Sequence, residues 1–256
     1  MIVTAALAWF DEPPELLDEC VRHLPVMADR LVAVDGGYSR YPGAKPSSPK
    51  NQAAQIRATA KDVGIDVEIH TPTKLWAGQV EKRSFLLQQA AKGSDWFVPV
   101  DADHVLHGLR YTVRHEVENV GEEYDALTAD LYTPMNWDRP LDESAAGEWH
   151  RDLAGEYTTI QNIFRCLPGL RVERFHWWYS ALKDDRKIWL IGGDTDPQAR
   201  RAAFYKLQAP YLIEHRCLFR KPKQIIRNRA FCDDRVAIVA ETNQEDDPTM
   251  LRRVAA

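Results

Sequence analysis

The sequence has no Cys-x-x-Cys pair: its four cysteines, Cys20, Cys166, Cys217 and Cys232, lie far apart. Neither a zinc knuckle nor a disulfide framework is encoded, and reduced, buried thiols are the simpler expectation. No apolar run approaches the roughly 18 residues that a bilayer span requires. The opening MIVTAALAWFDEPP lacks a basic leader region and meets a charge at Asp11, so a soluble, unsecreted, cytoplasmic protein is expected. A glycine-rich phosphate loop, a nucleophilic serine elbow and a His-Glu-x-x-His zinc motif are all missing. Positive charge is not in excess either. There are 33 Lys plus Arg against 38 Asp plus Glu, a formal net charge of -5, which argues against a surface that grips nucleic acid throughout and leaves only a local basic patch.

What is present is a chain of 256 residues, 45% of them hydrophobic, enough to bury a sizeable core. Its first hundred residues alternate short apolar runs with helical patterns, the mark of strand-helix-strand units. Strands are expected over Ile2 to Ala8, Leu31 to Val34, Val67 to His70 and Trp96 to Val100. Helices are expected over Pro13 to Leu24, where Leu16, Leu17, Cys20, Val21 and Leu24 repeat at helical spacing, and over Gln52 to Lys61. The fold class expected is α/β, with a mostly parallel central sheet flanked by helices. Between Asp35 and the second helix lies GGYSRYPGAKPSSP, residues 36 to 49, too rich in Gly, Pro and Ser for regular structure. With little apolar surface to hold it down, it is expected to be mobile. It leaves the carboxyl end of a strand, where open α/β sheets place ligands, so it reads as a rim or lid or as a passive excursion.

Beyond residue 105 the alternation weakens. Asp125 to Tyr132, Tyr157 to Phe164, Leu170 to Trp177 and Lys187 to Ile191 read as extended, followed by a helix over Pro197 to Leu207, a strand over Tyr211 to Glu214 and a basic helix over Pro222 to Arg229. Trp137, Trp149, Trp177, Trp178 and Trp189 crowd this half; they suit either a core or stacking against a sugar or base. Residues 242 to 256 read as a loose terminus.

The informative segment is DWFVPVDADHV, residues 95 to 105, an apolar strand running into Asp101 and Asp103. Alternate residues of an extended chain share a face, and a turn after Val100 would also let the two carboxylates converge. Such a pair suits a hard cation, Mg²⁺ or Mn²⁺, that takes the rest of its shell from water and phosphate; it also suits a solvated turn. Just upstream, a helix carries Lys82 and Arg83, which can reach nucleotide phosphates or form a solvated face beside Glu81.

In these residues the chain resembles the family 2 glycosyltransferases of the GT-A fold. EKRSFLLQQAAKGSDWFVPVDADHVL is similar to that family's basic pair, Ala- and Leu-rich helix, Asp-Trp, apolar strand and Asp-Ala-Asp; WFDEPPELLDECVRHL and LVAVDGGYS resemble its first loop and helix and its second strand. The resemblance covers residues 1 to 107. It implies a single GT-A-like domain over 1 to 256, with a nucleotide-sugar half (1 to 107), an acceptor half (108 to 240) and a tail (241 to 256). Ser84, His104 and Trp177 depart from the residues usual at their places.

The resemblance implies a transferase moving a sugar from a nucleotide-diphosphate donor, a UDP-sugar foremost, to an acceptor hydroxyl, with inversion and with Mn²⁺ or Mg²⁺. Asp35, with Thr4 nearby, would meet the base or ribose, and Lys82 and Arg83 would hold the nucleotide. Asp101 would face the ribose or a metal-bound water, and Asp103 would bind the cation. NIFRCLPGLRVERFH resembles a segment ending in a metal-binding histidine, which makes His176 a ligand; an aromatic cluster is its other setting, and His215 is the rival ligand. The base that takes the acceptor proton would be Asp194, or else Asp184 or Asp185. The acceptor could be a glycan, a small molecule or, given the basic residues between Arg216 and Arg235, modified DNA; those basic residues equally suit an exposed helix that contributes to diphosphate binding. A nucleotidyltransferase and a non-catalytic nucleotide-sugar-binding module are the alternatives.

Overall fold

The computed structural model describes residues 1–39, 44–134, 155–174, 178–192 and 200–216. The elements in order are β1 (Val3–Ala8), α1 (Pro14–His23), β2 (Arg30–Val34), α2 (Lys50–Asp62), β3 (Asp66–His70), α3 (Gln79–Ala90), β4 (Trp96–Asp101), β5 (His104–Gly108) and α4 (Arg110–Glu118), followed by the strands β6 (Ala126–Pro134), β7 (Gly155–Arg165), β8 (Arg171–Arg174), β9 (Trp178–Lys183), β10 (Arg186–Ile191), β11 (Arg200–Arg201), β12 (Phe204–Lys206) and β13 (Tyr211–His215).

Nine strands form the central sheet, in the order β3-β2-β1-β4-β7-β6-β13-β5 with β12 beside β6. The half from β3 to β4 is parallel throughout. Beyond it β7 runs antiparallel to both β4 and β6, and β5 antiparallel to β13. The sheet is therefore mixed rather than mostly parallel: β7 and β5 run against their neighbours, while β12 and β13 run parallel to β6. A second sheet, β11-β10-β9-β8, packs against α3.

Apolar residues fill both faces of β1, as a strand covered on two sides requires. Val3, Ala5 and Leu7 share a core with Leu17, Cys20, Val21 and Leu24 of α1, Ile56 and Ala60 of α2, and Val113 and Val117 of α4. Ala6 faces the other way, toward Leu86 and Ala90 of α3. Prolines open the first two helices: Pro13 precedes α1, Pro14 begins it, and Pro49 precedes α2. In these places the missing N–H removes no helical bond. The start of α3 is closed by Glu81, whose Oε2 accepts the Ala77 N–H at 2.5 Å.

One expectation about the second half is corrected. Arg200 to Lys206, expected within a helix, forms the strands β11 and β12, because pairing of Phe204–Lys206 with Ala126–Thr128 overrides local helix preference. In the described parts of the 36 to 49 loop, Gly37 N–H donates to Lys45 O at 3.1 Å, Trp76 N–H to Gly37 O at 3.1 Å, and Ser39 N–H to Trp76 O at 2.8 Å. The expected basic helix over 222 to 229, Trp137, Trp149, Trp177, Cys217, Cys232 and the tail lie outside the described residues.

Candidate functional site

The parallel register fixes where chemistry gathers. Ala8, at the end of β1, pairs with Val34 on one side and Asp101 on the other. Asp35 and Asp101 therefore emerge at one edge of the sheet, flanking Trp9, with backbones about 10 Å apart across two strand spacings. Thr4 lies at the other end: it is level with Phe97, four residues or about 13 Å along β4 from Asp101. Fully buried, its hydroxyl is 2.6 Å from that of Ser94. A nucleotide at the Asp35 edge is out of its reach.

Asp35 is buried, at 2% exposure. Its Oδ1 accepts the Gly36 N–H and the Ser48 hydroxyl, both at 2.6 Å, and its Oδ2 accepts the Ser48 N–H at 2.9 Å. The carboxylate thus closes the 36 to 49 loop onto β2. Gly36 makes this closure possible, since it has φ +105° and an added Cβ would stand 2.5 Å from Pro46 O. Lys82 is buried as well, on the inward stripe of α3 with Leu86, Leu87 and Ala90. Its ammonium donates to Trp9 O and Gly36 O, each at 2.7 Å, and stands over the Tyr38 ring at 5.4 Å. Burial lowers its pKa to about 7, with Asp35 acting against the fall. In this arrangement Lys82 ties two loops together rather than offering a charge to solvent.

Arg83, on the next position of α3, sends Nη2 to Asp101 Oδ1 at 2.5 Å. Burial opposes its charge, but Asp101 outweighs this and holds its pKa above the ordinary value. Its buried Nε has no hydrogen-bond partner among the described residues. β4 meets β7 only at Trp96 and Phe97. Pro99, lacking an N–H, cannot continue that ladder, and Asn162 reaches its carbonyl with a side-chain bond of 3.3 Å.

The strand does not run on through Asp103. Ala102 and Asp103 form a turn into β5, so the two acids acquire different partners. Asp103 turns inward to 1% exposure. His215, at the end of β13, lies directly across the ladder from His104, and its Nε2 stands 3.2 Å from Asp103 Oδ2. Asp103, His104 and His215 each offer a ligand atom within 4.8 Å of the others. Behind them Arg216 N–H donates to Asp103 O at 2.7 Å. The buried Glu214 takes His107 Nε2 at 2.9 Å and Arg216 Nη2 at 2.9 Å, while Arg216 Nη1 reaches Glu19 of α1. Burial works against the charge of Glu214, yet the bonds from His107 and Arg216 hold its pKa below the ordinary carboxylate value. The result is a fixed joint between β13 and β5.

Of the residues expected at the site, Asp35, Lys82, Arg83, Asp101, Asp103 and His215 gather at this edge, and Thr4 does not. His176 and Asp194 lie outside the described residues. Asp184 and Asp185 form the tight turn between β9 and β10, both in the left-handed region with φ of 53° and 58°. Their neighbour Lys183 pairs with Asp125, which precedes β6 and is level with the start of β4. That is the end remote from Asp101, so neither acid can serve as its base. Trp178 and Trp189 are 8% exposed and pack edge to face at 5.8 Å; they alternate with Tyr179 and with Ile188 and Leu190, which join the core shared with β4 and β7, so the two tryptophans lie on the other face of the second sheet. His104 and Ser48 were not expected as site groups. The histidine is adjacent to Asp103 in sequence, but its nearness to His215 depends on the β5–β13 pairing, which has no local signal.

No family model matches the chain, and no curated protein matches it. Among solved structures the chain is similar to a 4-diphosphocytidyl-2C-methyl-D-erythritol synthase from Anaerococcus prevotii, at 8% identity over 64% of this chain and 71% of that one, with a TM-score of 0.35. That likeness is too loose to argue from. No helix among the described residues is long and apolar enough to cross a membrane.

Proposed function

We propose that this protein is a metal-dependent glycosyltransferase that moves a sugar from a nucleotide-diphosphate donor, with UDP-sugars the first to test, to an acceptor hydroxyl. One observation carries the reading: a buried carboxylate with two imidazoles, Asp103, His104 and His215, gathers beside the Arg83–Asp101 pair at the carboxyl edge of parallel strands. Open α/β sheets bind ligands at that edge.

The donor set fits a divalent cation. A carboxylate and imidazoles within 4.8 Å of one another suit Mn²⁺, and Asp103 and His215 would hold the ion. When bound, the cation offsets charge building on the diphosphate as the glycosidic bond breaks. Arg83, kept charged by Asp101, would hold a diphosphate oxygen. Asp101 would fix the guanidinium and face the ribose. Asp35 would accept from the nucleoside by exchanging one of its bonds with Ser48. Asp194 remains the proposed base, and inversion remains the proposed outcome.

Turnover of UDP- and GDP-sugars, with and without Mn²⁺, tests the reading. Release of nucleoside diphosphate that needs both Mn²⁺ and an acceptor is expected. Asp103→Asn should lower that rate by about 100-fold or more, given the several kcal/mol that metal polarisation supplies, with an unchanged melting temperature. Release of pyrophosphate from a nucleoside triphosphate would instead identify a nucleotidyltransferase. Binding without turnover would identify a non-catalytic module.

A further inference from the structure

We propose that His104 is itself a metal ligand, completing with Asp103 and His215 a one-carboxylate, two-imidazole set that takes Mn²⁺, Co²⁺ or Zn²⁺ in preference to Mg²⁺. The inference rests on the metal-dependent reading above and adds to it the class of cation. An Asp-Ala-Asp turn alone offers oxygen, which suits Mg²⁺ and its retained waters. Here the register of β5 and β13 sets His104 opposite His215, with ring centroids 5.3 Å apart and planes at 88°. The rings are packed edge to face, so neither covers the other. All three ligand atoms lie within 4.8 Å, and modest side-chain rotation brings such a set to the roughly 2.0–2.2 Å that metal–imidazole bonds require.

The His104 ring is held but not locked. Its Nδ1 accepts the Asp101 N–H at 3.3 Å, a long contact. This puts the ring proton on Nε2. Ligation through Nδ1 gives up that contact. Ligation through Nε2 moves the proton to Nδ1 and gives up the same contact. The backbone on which both histidines sit is better fixed: Arg216 N–H holds Asp103 O at 2.7 Å, and His107 and Glu214 bridge β5 to β13 at 2.9 Å. Nitrogen ligands favour the later first-row ions, whereas Mg²⁺ gains little from them.

Calorimetry of the full chain, stripped of metal and titrated with Mn²⁺, Co²⁺ and Mg²⁺, reads the preference. Pulsed electron paramagnetic resonance of the Mn²⁺ complex counts coordinating nitrogens. Wild type should bind Mn²⁺ and Co²⁺ about 100-fold more tightly than Mg²⁺ and show two nitrogens. His104→Gln should narrow that ratio about tenfold and leave one nitrogen. An unchanged ratio and nitrogen count in His104→Gln would overturn the proposal, and loss of binding in Asp103→Asn would then leave the metal reading itself standing. Failure of wild type to bind any of the three ions would overturn both. Should the variant not fold, the nitrogen count of wild type decides, and a count of one overturns the role of His104.

Discussion

Lys82 joins two carbonyls that belong to different loops, Trp9 O after β1 and Gly36 O after β2. Lys82→Met keeps the aliphatic stem but leaves both carbonyls buried without that donor. A loss of about 1–3 kcal/mol is expected in urea unfolding, the usual penalty for an unsatisfied buried group. The pH dependence has a definite sign. Burial lowers the folded pKa from 10.5 to about 7, so between those values the unfolded chain holds a proton that the folded chain has released. Stability from this group is therefore fully present above about 10.5 and is lost as pH falls through about 7. The gap between wild type and Lys82→Met should widen from pH 6 to pH 9. Sequence alone left Lys82 open between a phosphate contact and a solvated face; its actual setting follows from α3 turning that position onto the sheet with Leu86 and Ala90.

The small second sheet is tied by Glu173 of β8, whose Oε1 meets Arg171 Nε at 2.7 Å, Ser180 Oγ of β9 at 2.7 Å and Lys187 Nζ of β10 at 2.8 Å. Burial alone would raise its pKa, but these three partners together lower it from 4.5 to about 2. The stability it gives is fully present above about 4.5 and is lost as pH falls through about 2. Glu173→Gln should lower the melting temperature at pH 7 and match wild type near pH 2. This element was half legible. Lys187 to Ile191 reads as a strand from its apolar residues, whereas β9 is hidden within an aromatic run that has no period of two. The helix α4 carries a faint local signal, Val113 and Val117 at i and i+4. β12 could not be read from Phe204 to Lys206, because its partner β6 lies far away in sequence, and β11 is a two-residue strand, too short to show a period of two.

Across the whole molecule, the two sheets meet in one shared apolar cluster. Phe97 of β4 lies 5.3 Å from the Phe164 ring of β7 and 6.0 Å from that of Tyr179 in the second sheet. Tyr179 also lies beside the Arg83–Asp101 pair. Phe97→Ala should cost about 3–5 kcal/mol, and tryptophan fluorescence and far-ultraviolet circular dichroism should still report one coincident transition. Separate transitions would mean that the sheets fold independently. The parallel half could be read from the sequence because buried parallel strands are continuous apolar runs with helices between them. The mixed half could not, since its order depends on which strand meets which. The site divides in the same way: Asp35, Arg83, Asp101 and Asp103 lie in the readable half, while the partnership of His104 with His215 belongs to the other.

Cys20 lies on α1 directly beneath the site, fully buried, with Sγ 3.5 Å from Asp101 O. Burial raises its pKa well above the ordinary thiol value, and the charges of Asp103 and Asp101 add to the rise. A thiolate, the form that oxidants and electrophiles attack, is thus suppressed there both by access and by charge. The floor under the acids is chemically silent, and redox stress can reach it only after α1 has lifted from the sheet.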